Sequence, residues 1–314
     1  MRGPDGLDRP DSRRIDDTQG GAQVLERILS WFRRPTAEFE IETTGGSSRP
    51  GGTIDIKVTI RSKKALKIKT GQVELTCTEQ WWQKESPRDS GQGRLETHSA
   101  LKQPLVQSFI ADTEIDGTEP LVRYARFQIP REAPPTVHGS IAQVSWEVTG
   151  RLEMESGDPL TKSQEITVLT APVVNSGRSA ADLTEEATFT GCILSMVLVN
   201  DVVGAGGYLE GELQARMNLT DQAKSIRMEL QSSEKAGDRD DESVRERVTL
   251  ESNVQLTSER PYVWAFSIPV PTRTLPTVQS GHTTVSWRLK AVVDTDTQAE
   301  AYHLERAVQI FTST

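Results

Sequence analysis

One ordered set of short motifs occurs twice in this chain, and that repetition constrains the fold more than any other feature. Phe127-Gln128-Ile129-Pro130 is followed by Pro135-Thr136-Val137, Gly139 and Val144-Ser145-Trp146. Phe266-Ser267-Ile268-Pro269 is followed by Pro276-Thr277-Val278, Gly281 and Val285-Ser286-Trp287. Upstream, Gly52 to Val58 answers Gly207 to Leu213, and Val73-Glu74-Leu75 answers Met228-Glu229-Leu230, both at an offset of 155. Aligned on the F-x-I-P motif the offset is 139, so the first copy is expected to carry 16 extra residues in one surface connection, where insertions cost little.

Both copies alternate apolar and polar residues with a period of two. Ile54, Ile56, Val58 and Ile60 alternate with Asp55, Lys57, Thr59 and Arg61, the pattern of a half-buried strand. Further strands are expected at 37–42, 73–77, 105–115, 121–129, 140–154 and 162–170. The second copy repeats them at 187–199, 207–219, 224–232, 243–256, 261–268, 282–294 and 300–312. Seven short strands per copy, separated by Gly- and Pro-rich turns, predict an all-β chain of two tandem immunoglobulin-like β-sandwiches. The expected organisation is a disordered tail at 1–22, an amphipathic helix at 23–35, a first sandwich at 36–172, a linker at 173–186 and a second sandwich at 187–314. Trp146 and Trp287 fall on the apolar phase of equivalent strands and are expected in the core. Residues 83 to 103 are expected to form a long polar loop, and Glu234 to Glu242 a short charged one.

Composition narrows function. The formal net charge is −9 and the pI about 5.2, which argues against non-specific binding to nucleic acid. The two cysteines, Cys77 and Cys192, lie in apolar runs and are expected as buried thiols of a reducing compartment. Neither a secretory leader pattern nor an apolar run of 18 residues occurs, so a cytoplasmic location is expected. No P-loop, H-E-x-x-H, G-x-S-x-G, C-x-x-C or complete dinucleotide fingerprint is present. The four histidines, His98, His138, His282 and His303, have no ligand-spaced neighbours; His138 and His282 flank turn glycines of the two copies and read as duplicated turn structure. Asp240-Asp241-Glu242 reads as a solvated loop. A non-catalytic protein without cofactor or metal is therefore expected.

Three features are candidates for binding. Arg61, Lys63, Lys64, Lys67 and Lys69 place five cations in nine residues, suited to acidic headgroups, a phosphorylated peptide or an acidic partner segment. Trp82 falls on the phase opposite Trp81, at the mouth of the long loop; it is a candidate exposed aromatic anchor, the alternative being packing under that loop. In the predicted helix, Leu25, Ile28, Leu29, Trp31 and Phe32 form an apolar face beside Arg33 and Arg34, which suits docking on protein or on an anionic membrane. Open sheet edges also allow homo-oligomers through strand pairing.

The same residues carry a family likeness. Arg49-Pro50-Gly51-Gly52-Thr53-Ile54 resembles the entry to the second strand of arrestin-like domains. Phe127 to Pro130, Pro134-Pro135-Thr136 and the Val144-to-Leu152 strand resemble that family's F-x-hydrophobic-P, P-P-S/T and aromatic-strand stretch, and the second copy keeps Phe266 to Pro269, Pro276-Thr277 and Val285 to Val293. The likeness covers about 37–312. It implies tandem arrestin-like sandwiches acting as a non-catalytic adaptor or scaffold; the alternative of a peripheral membrane protein rests on the predicted helix and the basic cluster. The first strand, Ala37 to Glu42, is acidic where visual and β-arrestins carry a paired-lysine phosphate sensor. A bacterial sporulation-control or retromer-type relative fits the pattern better.

Overall fold

The computed structural model describes residues 37–83, 94–101, 103–170, 172, 179–298 and 300–312. The expected tail and amphipathic helix, and residues 173–178 of the expected linker, lie outside these residues. Among the described residues the chain is all-β, with one short 3-10 turn at Ala180–Leu183. The first half holds β1 (Ala37–Thr43), β2 (Ser47–Ser48), β3 (Thr53–Ser62), β4 (Leu66–Gln83), β5 (Arg94–Ser99), β6 (Leu105–Ile115), β7 (Leu121–Gln128), β8 (Val137–His138), β9 (Ala142–Met154) and β10 (Leu160–Val168). The second holds β11 (Thr184–Thr188), β12 (Cys192–Leu198), β13 (Val202–Gly204), β14 (Tyr208–Met217), β15 (Asp221–Ala236), β16 (Arg239–Leu256), β17 (Tyr262–Pro269), β18 (Val278–Gln279), β19 (Thr283–Thr295) and β20 (Tyr302–Phe311).

The two halves repeat one strand order. A small sheet β1-β3-β7 matches β12-β14-β17, and a larger sheet β2-β10-β9-β4-β5 matches β13-β20-β19-β15-β16. Alternation drives the packing: β9 reads strictly buried on every second residue, from Ala142 through Trp146 to Met154, so its inner side chains meet those of the facing sheet. Trp146 and Trp287 are buried. Each indole N–H donates to a carbonyl in the equivalent proline-rich turn, that of Pro134 at 2.9 Å and that of Leu275 at 3.0 Å. Thr136 and Thr277 likewise exchange equivalent bonds with Val168 and Ile310.

Strand register corrects the alignment. Ile129 bonds to Gly51 and Gly52, whereas Val270 makes the same bonds to Gly206 and Gly207. Ile129 therefore corresponds to Val270, at an offset of 141, and the second F-x-I-P lies two residues out of step with the first. A slip of two preserves the face of a strand, which is why the motif looked continuous. The excess in the first half is 14 residues: the offset falls from 155 to 141. Twelve lie at the β4 hairpin, where Trp81 faces Glu96 while Ala236 faces Arg239. Two lie in the break between β5 and β6.

Three other expectations change. Arg94–Ser99, expected within a loop, pairs back on Thr78–Gln83. The expected linker contains the 3-10 turn and the start of β11, which adds to the outer edge of β12. The expected Glu234–Glu242 loop is mostly strand, because β15 runs to Ala236 and β16 starts at Arg239. Side chains cover parts of two open edges. Gln107 on β6 accepts from the Arg126 N–H and donates to the Arg126 carbonyl on β7. Gln164 on β10 does the same for Thr43 on β1, through its N–H and hydroxyl. Bonding of this kind withdraws backbone groups from edge pairing.

Candidate functional site

The two halves meet along a seam whose contacts are reciprocal, as around a two-fold axis. At its centre the Thr170 N–H donates to the Thr312 hydroxyl at 2.8 Å, and the Thr312 N–H to the Thr170 hydroxyl at 2.7 Å. On either side a buried glutamate reaches from one half into a turn of the other. These glutamates, Glu79 on β4 and Glu234 on β15, stand at the 155 offset, on the inward phase of equivalent strands.

Glu234 is 2 % exposed and fills the turn between β8 and β9. It accepts from the backbone N–H of Ser140 at 2.8 Å, of Ile141 at 2.9 Å and of Ala142 at 2.8 Å, and from the Ser140 hydroxyl at 2.9 Å. A buried carboxylate is tolerated when so many donors replace its water. Gly139 makes the approach feasible: a Cβ there would lie 2.0 Å from Glu234 Oε1. The Ser140 hydroxyl also lies 3.0 Å from Asp241 Oδ2.

Glu79, also 2 % exposed, meets the equivalent turn differently. The residue matching Gly139 is Ser280, whose hydroxyl donates to Glu79 and also accepts from the Thr283 N–H at 3.3 Å. Beside it Trp81 stacks on His282 at 4.2 Å between ring centroids and on His98 at 4.8 Å. The residues matching Trp81 and His282 in the other half-seam are Ala236 and Ile141. Trp81, Ile141, Ala142 and Ala236 form their own small apolar cluster, separate from the main core.

A cleft of about 780 Å³ opens along the Glu234 side of the seam. Its walls come from both halves: Thr136, His138 and Ser140 from the first, and Arg245, the Pro271–Pro276 turn and Trp287 from the second. Arg245 lies at a register shift in β16, between the partners of Leu230 and Gln231, and such a bulge re-aims a side chain. Its Nε donates to the Ser232 hydroxyl at 2.8 Å. Arg273 is exposed on the proline turn. Glu165 lies 3.8 Å from His138 Nε2 at the rim.

No known family model matches this chain, and no curated protein is significantly similar to it.

Among the described residues, none of those nominated from the sequence for binding lines this cleft. Arg61 pairs with Glu40 at 2.7 Å and Lys67 with Glu155 at 3.1 Å. Lys63, Lys64 and Lys69 are exposed, the first two in the turn from β3 to β4. Trp82 is a residue of β4 opposite Leu95, and its side chain lies outside the described residues. Leu25, Ile28, Leu29, Trp31, Phe32, Arg33 and Arg34 lie outside them too. His138 and His282, read as a duplicated turn pair, occupy non-equivalent positions: His138 matches Gln279, and His282 matches Ile141. Both cysteines are buried and free, with the Cys192 thiol pushed up to about 12 by burial. Glu79 and Glu234 were missed although a signal existed. Each continues an apolar-phase series, Val73-Leu75-Cys77-Glu79 and Met228-Leu230-Ser232-Glu234, and an acid on that phase in both copies needs a partner inside.

Proposed function

We propose that this chain is a non-catalytic adaptor, built as tandem arrestin-like β-sandwiches, that holds a protein partner in the cleft between them. One observation supports this reading above the rest: the cleft has walls from both halves, and the Glu234 bonds tie those walls together. A binding site made before its ligand arrives loses less entropy on binding, and concave sites at the junction of two units are common ligand positions. The test is capture from the native cell with the intact chain and with Thr274→Trp, which fills the cleft with an indole. A partner recovered by the first and lost by the second, but retained by the Lys63→Glu/Lys64→Glu chain, supports the reading. Equal recovery by all three overturns it.

A second reading, attachment to an anionic membrane, is favoured by Lys63, Lys64 and Lys69. All three are exposed, and no carboxylate partner is found for them among the described residues. Flotation with phosphatidylserine vesicles at low salt, abolished by Lys63→Glu/Lys64→Glu, is its expected signature.

A further inference from the structure

The cleft's charge separates it from its internal counterpart. At the 141 offset, Arg245 answers Pro104, Arg273 answers Glu132, and His138 answers Gln279. Arg131, next to Glu132, has its stem beside Gly51. Of the two similar half-seams, the one holding the cleft is lined by two cations, Arg245 and Arg273, whose counterparts are a proline and a glutamate. Of the anions around the cleft, Glu234 is taken up by three backbone N–H groups, and the Ser140 hydroxyl lies within reach of both Glu234 and Asp241. Glu165 stands at the rim, 3.8 Å from His138 Nε2. Among the described residues the terminal nitrogens of Arg245 and the whole Arg273 guanidinium have no carboxylate partner.

We propose that the cleft takes an acidic peptide segment, its carboxylates held by Arg245 and Arg273 and its backbone lying against the Pro271–Pro276 turn. This rests on the adaptor reading and adds the chemistry of the partner. Guanidinium forks match carboxylates in a bidentate geometry. An overall charge of −9 repels an acidic ligand at long range, so any attraction must come from a local site.

The test uses three fluorescein-labelled eight-residue peptides, alternating serine with glutamate, glutamine or lysine, titrated into the full chain and followed by anisotropy. The glutamate peptide is expected to bind at least about tenfold more tightly than the other two, and to weaken as salt rises. Arg245→Glu and Arg273→Glu are each expected to weaken it about tenfold or more, the order of one lost charge-assisted pair. Lys63→Glu/Lys64→Glu is expected to change it less than about twofold, as a distant exposed charge pair should. Thermal melting within a few degrees of wild type shows that each variant is folded. If the glutamine or lysine peptide binds better and Thr274→Trp blocks it, the acidic preference is wrong and the adaptor cleft stands. Absence of binding by every peptide counts against both. Equal weakening by the Lys63/Lys64 variant overturns the proposal, because the attraction would then be diffuse.

Discussion

The two halves of the seam start from one plan and solve it with different chemistry. Where Glu234 enters the 139–142 turn, a glycine leaves room and three backbone N–H groups converge on one carboxylate. Where Glu79 enters the 280–283 turn, a serine occupies the glycine's place and interposes its hydroxyl. The first half-seam is held by hydrogen bonds and keeps a cleft open. The second is held by rings, with Trp81, His98 and His282 in mutual contact. The difference shows how two equivalent contacts diverge: one carries ring packing, and the other binds a carboxylate and leaves a cleft beside it.

Removing each glutamate tests that contrast most directly. Glu234→Ala leaves buried N–H groups of Ile141 and Ala142 without an acceptor, and an unsatisfied buried donor costs about 1–3 kcal/mol. A loss of about 4 kcal/mol is expected in urea unfolding. Glu79→Ala removes one hydroxyl bond and is expected to cost about 1 kcal/mol. Equal losses would mean that the asymmetry is geometric only. Next in size is Trp81→Ala, which empties a side chain that is 5 % exposed. Truncations of this kind cost about 3 kcal/mol or more, while Ile141→Ala, acting on the residue equivalent to His282 across the seam, is expected to cost about 2 kcal/mol.

Exchanging the turn residues sharpens the comparison further. Gly139→Ser copies the other half's residue into a site where a Cβ would lie 2.0 Å from Glu234 Oε1 and 2.7 Å from the Ala142 carbonyl oxygen. Overpacking is expected to cost about 2 kcal/mol. Ser280→Gly loses a hydroxyl without a clash and is expected to cost about 1 kcal/mol. Denaturant midpoints that fall in the reverse order would show that the glycine is not what admits Glu234.

The strands were legible because period-two alternation is local and continuous. Ile54 to Ile60, Val144 to Leu152 and Val285 to Val293 all sit where their pattern puts them. What alternation could not convey was register between distant strands, so the F-x-I-P pair was aligned two residues out of step. The Glu234–Glu242 segment was read as a loop because its charges suggested water, while the fold turns Glu234 toward another half of the chain. Arg245 was equally hidden, since a bulge is a property of two paired strands and one strand alone does not reveal it. Charge density drew attention to Arg61–Lys69, yet two of those five cations are neutralised by Glu40 and Glu155, which are remote in sequence.

The smallest expected effect concerns acid. One cross-strand position pairs Thr149 with Ser163 in the first half, hydroxyl to hydroxyl at 2.9 Å. Its counterpart in the second half pairs Lys290 with Glu305 at 2.8 Å. The Lys290 hydrogen bond holds the Glu305 carboxyl below its ordinary value of 4.5, against a smaller opposing effect of burial. A carboxyl lowered by folding stabilises the native state above its unfolded pKa, and that contribution is lost as pH falls through the folded value. The pair is partly exposed, so the contribution is about 1 kcal/mol or less. The double exchange Lys290→Thr/Glu305→Ser copies the first half's chemistry and removes it. Urea midpoints at pH 7 and pH 3 are expected to lie closer together in the exchanged chain than in wild type. An unchanged gap would place the acid sensitivity at other carboxylates, Glu229 first among them, where the bonds from Arg227 and Gln231 and the charge of Arg247 together outweigh burial and keep the carboxyl lowered.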